Sequence, residues 1–154
     1  MVSIMNAEPL GGNKKELAGL KNKKVLIVED DQFLRYLLSV KMGQLQDRGV
    51  QVFSSGDTEE ALETAKKVRP DVIFLDLVMP GMNGYEFLKE LRKETQFKET
   101  PVIILSNLTN QDNGERAKSL NVSAYLVKAD FALNDLMEKV SDVLLKARPE
   151  PVTA

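Results

Sequence analysis

A chain of 154 residues is long enough to bury a real core without staples. It contains neither cysteine nor histidine, so disulfides, thiol chemistry, phosphohistidine, the commonest zinc ligand and the commonest general base are all excluded. Its charged fraction of 29% and formal net charge of -2 are those of an ordinary soluble protein and give no electrostatic footprint for nucleic acid.

No apolar run approaches the roughly 20 residues that a membrane span requires, and the first residues lack the apolar centre of a secretory signal. A cytoplasmic protein without membrane or nucleic-acid contacts is therefore expected. Residues 1–22 hold Pro9, Gly11-Gly12 and several lysines, and are expected to form a loosely held N-terminal extension. The lysines could serve an acidic partner, but a solvated tail explains them as well. Residues 23–147 make one domain and residues 148–154, with Pro149 and Pro151, a short tail.

The first strand is Val25 to Val28, an apolar run without polar alternation, as expected where both sheet faces are covered. It ends in Glu29-Asp30-Asp31. Asp31 precedes the helical pattern of Leu34, Leu37, Leu38, Met42 and Leu45 and can cap it, whereas Glu29 and Asp30 are left without such a local role. Val50 to Phe53 alternates and is placed at a sheet edge. Asp57 or Thr58 caps a helix through Ala61, Leu62, Ala65 and Val68, which stops before Arg69-Pro70.

Val72 to Leu75 is a third buried strand, closing on Asp76. After the Pro80-Gly81 turn, a helix from about Gly84 carries Tyr85, Leu88 and Leu91 on one face. Val102 to Leu105 is the fourth strand and terminates at Ser106. Thr109 to Leu120 is helix-like but poor in apolar residues and contains Gly114, so it is expected to be weakly held. Ala124 to Val127 is the fifth strand, ending at Lys128. The last helix has a core-facing stripe of Leu133, Leu136, Met137, Val140, Val143 and Leu144.

Five alternations with long crossovers predict an α/β fold: a doubly wound, five-stranded parallel sheet of order 2-1-3-4-5, flavodoxin-like. In that order the first and third strands are neighbours. Their carboxyl ends bring Glu29, Asp30 and Asp76 into the switch-point crevice, an oxygen-rich site suited to Mg²⁺. With the cation present, Asp76 can act as a nucleophile on phosphorus to form an aspartyl phosphate, with Lys128 and the Ser106 hydroxyl on the other phosphoryl oxygens. Singly, each residue has a plainer reading: an acidic loop, a turn aspartate, a strand-end serine, a solvated lysine. Five of them at four strand ends converge on one place.

Over about Lys23 to Ala147 the chain resembles the receiver domain of bacterial two-component response regulators. V-L-I-V-E-D-D, D-V-I-F-L-D-L-V-M-P-G-M-N-G, P-V-I-I-L-S and A-Y-L-V-K occur in the family's order and spacing. The resemblance implies that Asp76 is phosphorylated and that Glu29, Asp30 and Asp76 hold Mg²⁺ with the backbone carbonyl of Val78. It further implies that Ser106 is the switch hydroxyl, Lys128 the phosphoryl-contacting lysine, and Tyr125 the aromatic that follows Ser106. A half-buried sheet aromatic is the plainer reading of Tyr125.

Some positions depart from the common pattern. Ala129 stands where proline usually follows the lysine, so either a trans bond or a strained loop is expected at Lys128. Asn107 is bulkier than the usual small residue. Val78 and Leu108 are apolar at two positions that resemble those tuning hydrolysis, so a long-lived phosphoryl group is expected.

The expected function is a stand-alone phosphorylation switch. A histidine kinase or phosphotransfer protein supplies the phosphoryl group. A downstream protein binds the face of helix 4 (Thr109 to Leu120), strand 5 and helix 5 (the last helix), with a phosphorylation-dependent dimer as an option. The chain catalyses only its own phosphorylation and slow dephosphorylation. A phosphorylation-independent interaction module is the alternative. A haloacid-dehalogenase-like hydrolase would need a second aspartate where Val78 stands, and a nucleotide-binding fold would need a glycine-rich loop after the first strand.

Overall fold

The structure, a computed structural model, describes residues 19–77, 84–106, 120–127 and 133–146. Among these, the strands are β1 (Lys24–Val28), β2 (Gln51–Ser55), β3 (Val72–Asp76), β4 (Val102–Ser106) and β5 (Ala124–Val127). The helices are α1 (Gln32–Gln46), α2 (Thr58–Val68), α3 (Gly84–Lys93) and α4 (Leu133–Lys146). The strands form one sheet of order β2-β1-β3-β4-β5, every pair parallel, as the sequence predicts.

Strand periodicity explains the unbroken apolar runs. Leu26 and Val28 of β1, with Ile73 and Leu75 of β3, pack on one face beneath Ala61 and Ala65 of α2 and Leu88 and Leu91 of α3. Val25, Ile27, Val72 and Phe74 point to the other face, under Leu38 and Met42 of α1 and Leu136 and Val140 of α4. Neither parity can be polar when both faces are covered. Burying each such side chain contributes about 1.5–3 kcal/mol. β2 lies at an edge, and its middle residues are partly or fully open to solvent.

Local chemistry sets the helix ends. Asp31 Oδ1 accepts the Leu34 N–H at 2.9 Å and caps α1. Asp57 does the same for α2 through the Glu59 N–H at 3.1 Å. Glu59 and Glu60 in the first turn of α2 and Lys66 and Lys67 in its last complement the helix dipole. Arg69 then turns left-handed at φ 53° and stops the helix ahead of Pro70.

The amino ends of the strands are tied by polar contacts. Asp71 Oδ2 accepts the Lys24 N–H at 2.8 Å, while the Asp71 N–H donates to the Lys24 carbonyl at 2.8 Å. Arg92, at the end of α3, donates to the carbonyls of Phe97 (2.6 Å), Thr100 (2.7 Å), Leu120 (3.0 Å) and Asn121 (3.0 Å). Desolvation on burial lowers its pKa from the ordinary arginine value, with nearby Glu99 acting the other way.

Three features differ from the sequence reading. β2 starts one residue later than expected and runs on through Ser54 and Ser55, because pairing with Ile27 and Val28 continues past the last apolar residue. A 3-10 turn at Thr95–Phe97 buries Phe97 against the α2–α3 side of the core. Leu20, within the stretch expected to be an extension, is buried in the α1–α4 side, and the Asn22 N–H donates to the Gly49 carbonyl at 3.0 Å. The packed domain thus takes in the last residues of that stretch. The helix expected over Thr109 to Leu120 falls outside the described residues except for Leu120, which packs partly buried on the α2–α3 side.

Gly84 joins the fold to the carboxyl edge of the sheet. Its N–H donates to the Leu77 carbonyl at 2.8 Å, and a Cβ there would lie 2.7 Å from both the Asp76 carbonyl oxygen and the Leu77 Cα. Those neighbours are backbone and cannot swing away. Gly84→Val is expected to destabilise the protein by about 1–3 kcal/mol through overpacking, seen in urea unfolding as a lower midpoint at unchanged slope.

Candidate functional site

The pairing of β1 with β3 decides what stands at the carboxyl edge of the sheet. Val28 is in register with Leu75, so the chain leaves β1 as Glu29-Asp30 beside the point where β3 ends on Asp76. One carboxylate oxygen from each of Glu29, Asp30 and Asp76 lies within 4.8 Å of the other two. Glu29 is 1% and Asp76 5% exposed, while Asp30 is half-buried. Two carboxylates at this separation repel by on the order of 3 kcal/mol at an effective dielectric of about 20. The fold holds three together.

Further contacts fix the acids. The Glu29 N–H donates to the Ser55 carbonyl at 3.0 Å, which extends the β1–β2 ladder by one bond. Glu29 Oε2 accepts the Asp31 N–H at 3.2 Å, while the helix cap itself is Asp31, as expected. The amide that Glu29 reaches is its neighbour's own, brought round by the turn into α1.

Ser106 is the last residue of β4, one position beyond Leu105, the register partner of Asp76. Its own partner is Val127, the residue before Lys128. The backbone therefore brings Ser106 to the rim that carries Asp76. Lys128, Val78, Asn107, Leu108 and the Lys128–Ala129 bond lie outside the described residues. Tyr125 is half-buried in β5 and packs on the α2–α3 side of the core.

Sequence reasoning missed two residues beside the acids. Arg35, one turn into α1, donates from Nη1 to the carbonyls of Glu29 at 2.7 Å and Asp30 at 3.5 Å. Gly56, just past β2, makes room for it, since a Cβ there would overlap Nη1 of Arg35. The available signal was a lone cation among the apolar positions Leu34, Leu37 and Leu38, directly downstream of three acids.

Residues 25–141 match the response regulator receiver domain family. The chain belongs to that family. This receiver is 31% identical over 125 residues to a probable transcriptional regulator, ycf27, of Porphyridium aerugineum, covering 81% of this chain and 49% of that protein. It is 30% identical to the transcriptional regulatory protein PdtaR of Mycobacterium tuberculosis, covering 86% of this chain and 60% of the relative. The receiver thus spans about half the length of the curated relatives it matches. Among solved structures, the chemotaxis response regulator CheY4 of Vibrio cholerae superposes with a TM-score of 0.70 at 36% identity, over 80% of this chain and 99% of that one. The phosphorylated cyanobacterial phytochrome response regulator RcpA gives 0.72 at 26% identity, over 84% and 99%.

Receiver domains are signalling phosphoacceptors of two-component systems, and the acid cluster suits that chemistry. Its donors are all oxygen, the donor type that a small hard cation such as Mg²⁺ takes, and few carboxylates leave room for the waters that ion retains. Among the described residues, no helix is long and apolar enough to cross a membrane.

If the three acids repel in the metal-free receiver, removing one charge relieves the strain. Asp30→Asn is expected to raise the melting temperature without metal and to abolish the further rise that millimolar Mg²⁺ gives the parent protein. Thermal unfolding with and without Mg²⁺ measures both effects.

Proposed function

We propose that this receiver accepts a phosphoryl group on Asp76 from a histidine kinase or a histidine-containing phosphotransfer protein, and that the modification switches its binding to a downstream protein. The observation that carries the reading is the meeting of Glu29, Asp30 and Asp76 oxygens within 4.8 Å at the β1–β3 switch point. The donor histidine lies outside these 154 residues, which contain none.

In the transfer, an Asp76 carboxylate oxygen forms the bond to phosphorus as the phosphorus–nitrogen bond of the donor breaks, and the leaving imidazole keeps the electron pair. A neighbouring dianionic phosphoryl group would otherwise be repelled by three carboxylates. Glu29, Asp30, Asp76 and the Val78 carbonyl would hold Mg²⁺, which would supply positive charge to offset this repulsion. Ser106 donates its hydroxyl to one phosphoryl oxygen and Lys128 its ammonium to another. These roles are supported by the register, in which Ser106 follows the partner of Asp76 and Lys128 follows the partner of Ser106 in sequence. The same groups make the receiver catalyse its own phosphorylation and slow dephosphorylation. Val78 and Leu108 have no polar group to orient a water, which favours a long-lived acyl phosphate.

Once Ser106 is drawn to the phosphoryl oxygen, Tyr125 and the Thr109–Leu120 segment rearrange, and a partner selective for that arrangement shifts the population. That partner binds the face formed by the Thr109–Leu120 segment, β5 and α4, where a phosphorylated dimer could also form.

The donor meets a different surface. α1 starts directly after the acids and exposes Phe33 (71%), Tyr36 (64%) and Val40 (49%) along one helical stripe, on a helix that carries no acidic residue. Exposed apolar side chains grouped in this way mark a protein-binding site, and this one borders the rim through which Asp76 is reached.

Incubation with acetyl phosphate and Mg²⁺ should add one phosphoryl group, detected by Phos-tag electrophoresis or intact mass. Asp76→Asn should abolish it. Failure of the parent protein to be labelled, with partner binding retained, would make it a phosphorylation-independent module instead. The double variant Phe33→Ala/Tyr36→Ala should slow transfer from a phosphorylated protein donor at least tenfold while changing labelling by acetyl phosphate much less, as rapid-quench kinetics would show.

A further inference from the structure

We infer that Arg35 is a positioning residue of the cation site, acting on the backbone of two of its acids within a space kept open by Gly56. This rests on the reading of Glu29, Asp30 and Asp76 as a Mg²⁺ site. Arg35 Nη1 donates to the Glu29 carbonyl at 2.7 Å and approaches the Asp30 carbonyl at 3.5 Å. Residues 29–35 are thereby closed into one unit. Glu29 Oε2 accepts from the Asp31 N–H, Asp31 Oδ1 from the Leu34 N–H, and the Asp31 carbonyl from the Arg35 N–H at 2.8 Å.

These bonds of Arg35 go to main-chain carbonyls, so they hold the acids' backbone without occupying carboxylate oxygens that a cation would need. Mg²⁺ demands near-octahedral geometry and tolerates misplaced ligands poorly, so fixing two ligands in advance favours it directly. Gly56 is the second half of the device: a Cβ at position 56 would overlap Nη1 of Arg35, so the guanidinium would have to shift.

The test uses the full chain. Mg²⁺ affinity is measured by isothermal titration calorimetry for the parent, Arg35→Met and Gly56→Ala, beside urea unfolding. The rate of acetyl phosphate labelling is followed as a function of Mg²⁺ concentration. Outer-shell partners of metal ligands typically tune affinity about 10–100-fold. Both variants should therefore bind Mg²⁺ about tenfold more weakly and need correspondingly more of it for half-maximal labelling, with a much smaller change in the rate at saturating Mg²⁺. Parent-like Mg²⁺ affinity in Gly56→Ala, or a lowered saturating rate at unchanged Mg²⁺ requirement, overturns the inference. Should Arg35→Met fail to fold, Gly56→Ala alone decides. Absence of Mg²⁺ binding by the parent would overturn the reading of the site itself, a result distinguishable from both.

Discussion

Like charges forced together govern this molecule. Glu29, Asp30 and Asp76 would separate if the chain allowed it, and the ladder between β1 and β3 does not allow it. The energy that holds them comes from the apolar runs behind them, Val25 to Val28 and Val72 to Leu75, buried on both faces of the sheet. Each such side chain contributes about as much as one pair of carboxylates costs. An apolar core with no functional group of its own is therefore what keeps the acidic edge assembled.

The two ends of the sheet are built differently. At the amino end, backbone amides and carbonyls are paired with Asp71 and Arg92, residues that tie strand starts and loops together and do no chemistry. At the carboxyl end, carboxylates crowd together and Gly84 lets α3 begin against the backbone of Asp76 itself.

Much of this was legible in the sequence. Uniformly apolar strands, the caps Asp31 and Asp57, and the alternation of elements were enough to order the sheet, because each has a local cause. The meeting of the three acids followed from strand order alone. Arg35 showed only as a lone cation in an apolar helical stretch, and its relation to Gly56 was not legible, since it depends on how the end of β2 passes the first turn of α1, a three-dimensional proximity with no periodic signature. The continuation of β2 through Ser54 and Ser55 escaped for a related reason: a ladder is made by backbone atoms, and hydrophobic pattern reports only side chains. Phe97 packs into the core from a single 3-10 turn, too short for any periodicity to show.

The acids that form the cluster are supplied by strands that neighbour each other in space but are separated in the chain by a whole strand and two helices. Bringing such distant segments into register is the slow, entropically costly part of folding for parallel sheets. During synthesis, Glu29 and Asp30 leave the ribosome well before Asp76 and have no third carboxylate to meet. A chain halted at that stage, or one whose third strand has slipped, carries every chemical group except the arrangement. The three-acid arrangement is thus acquired only with the finished topology, after all the groups that compose it already exist.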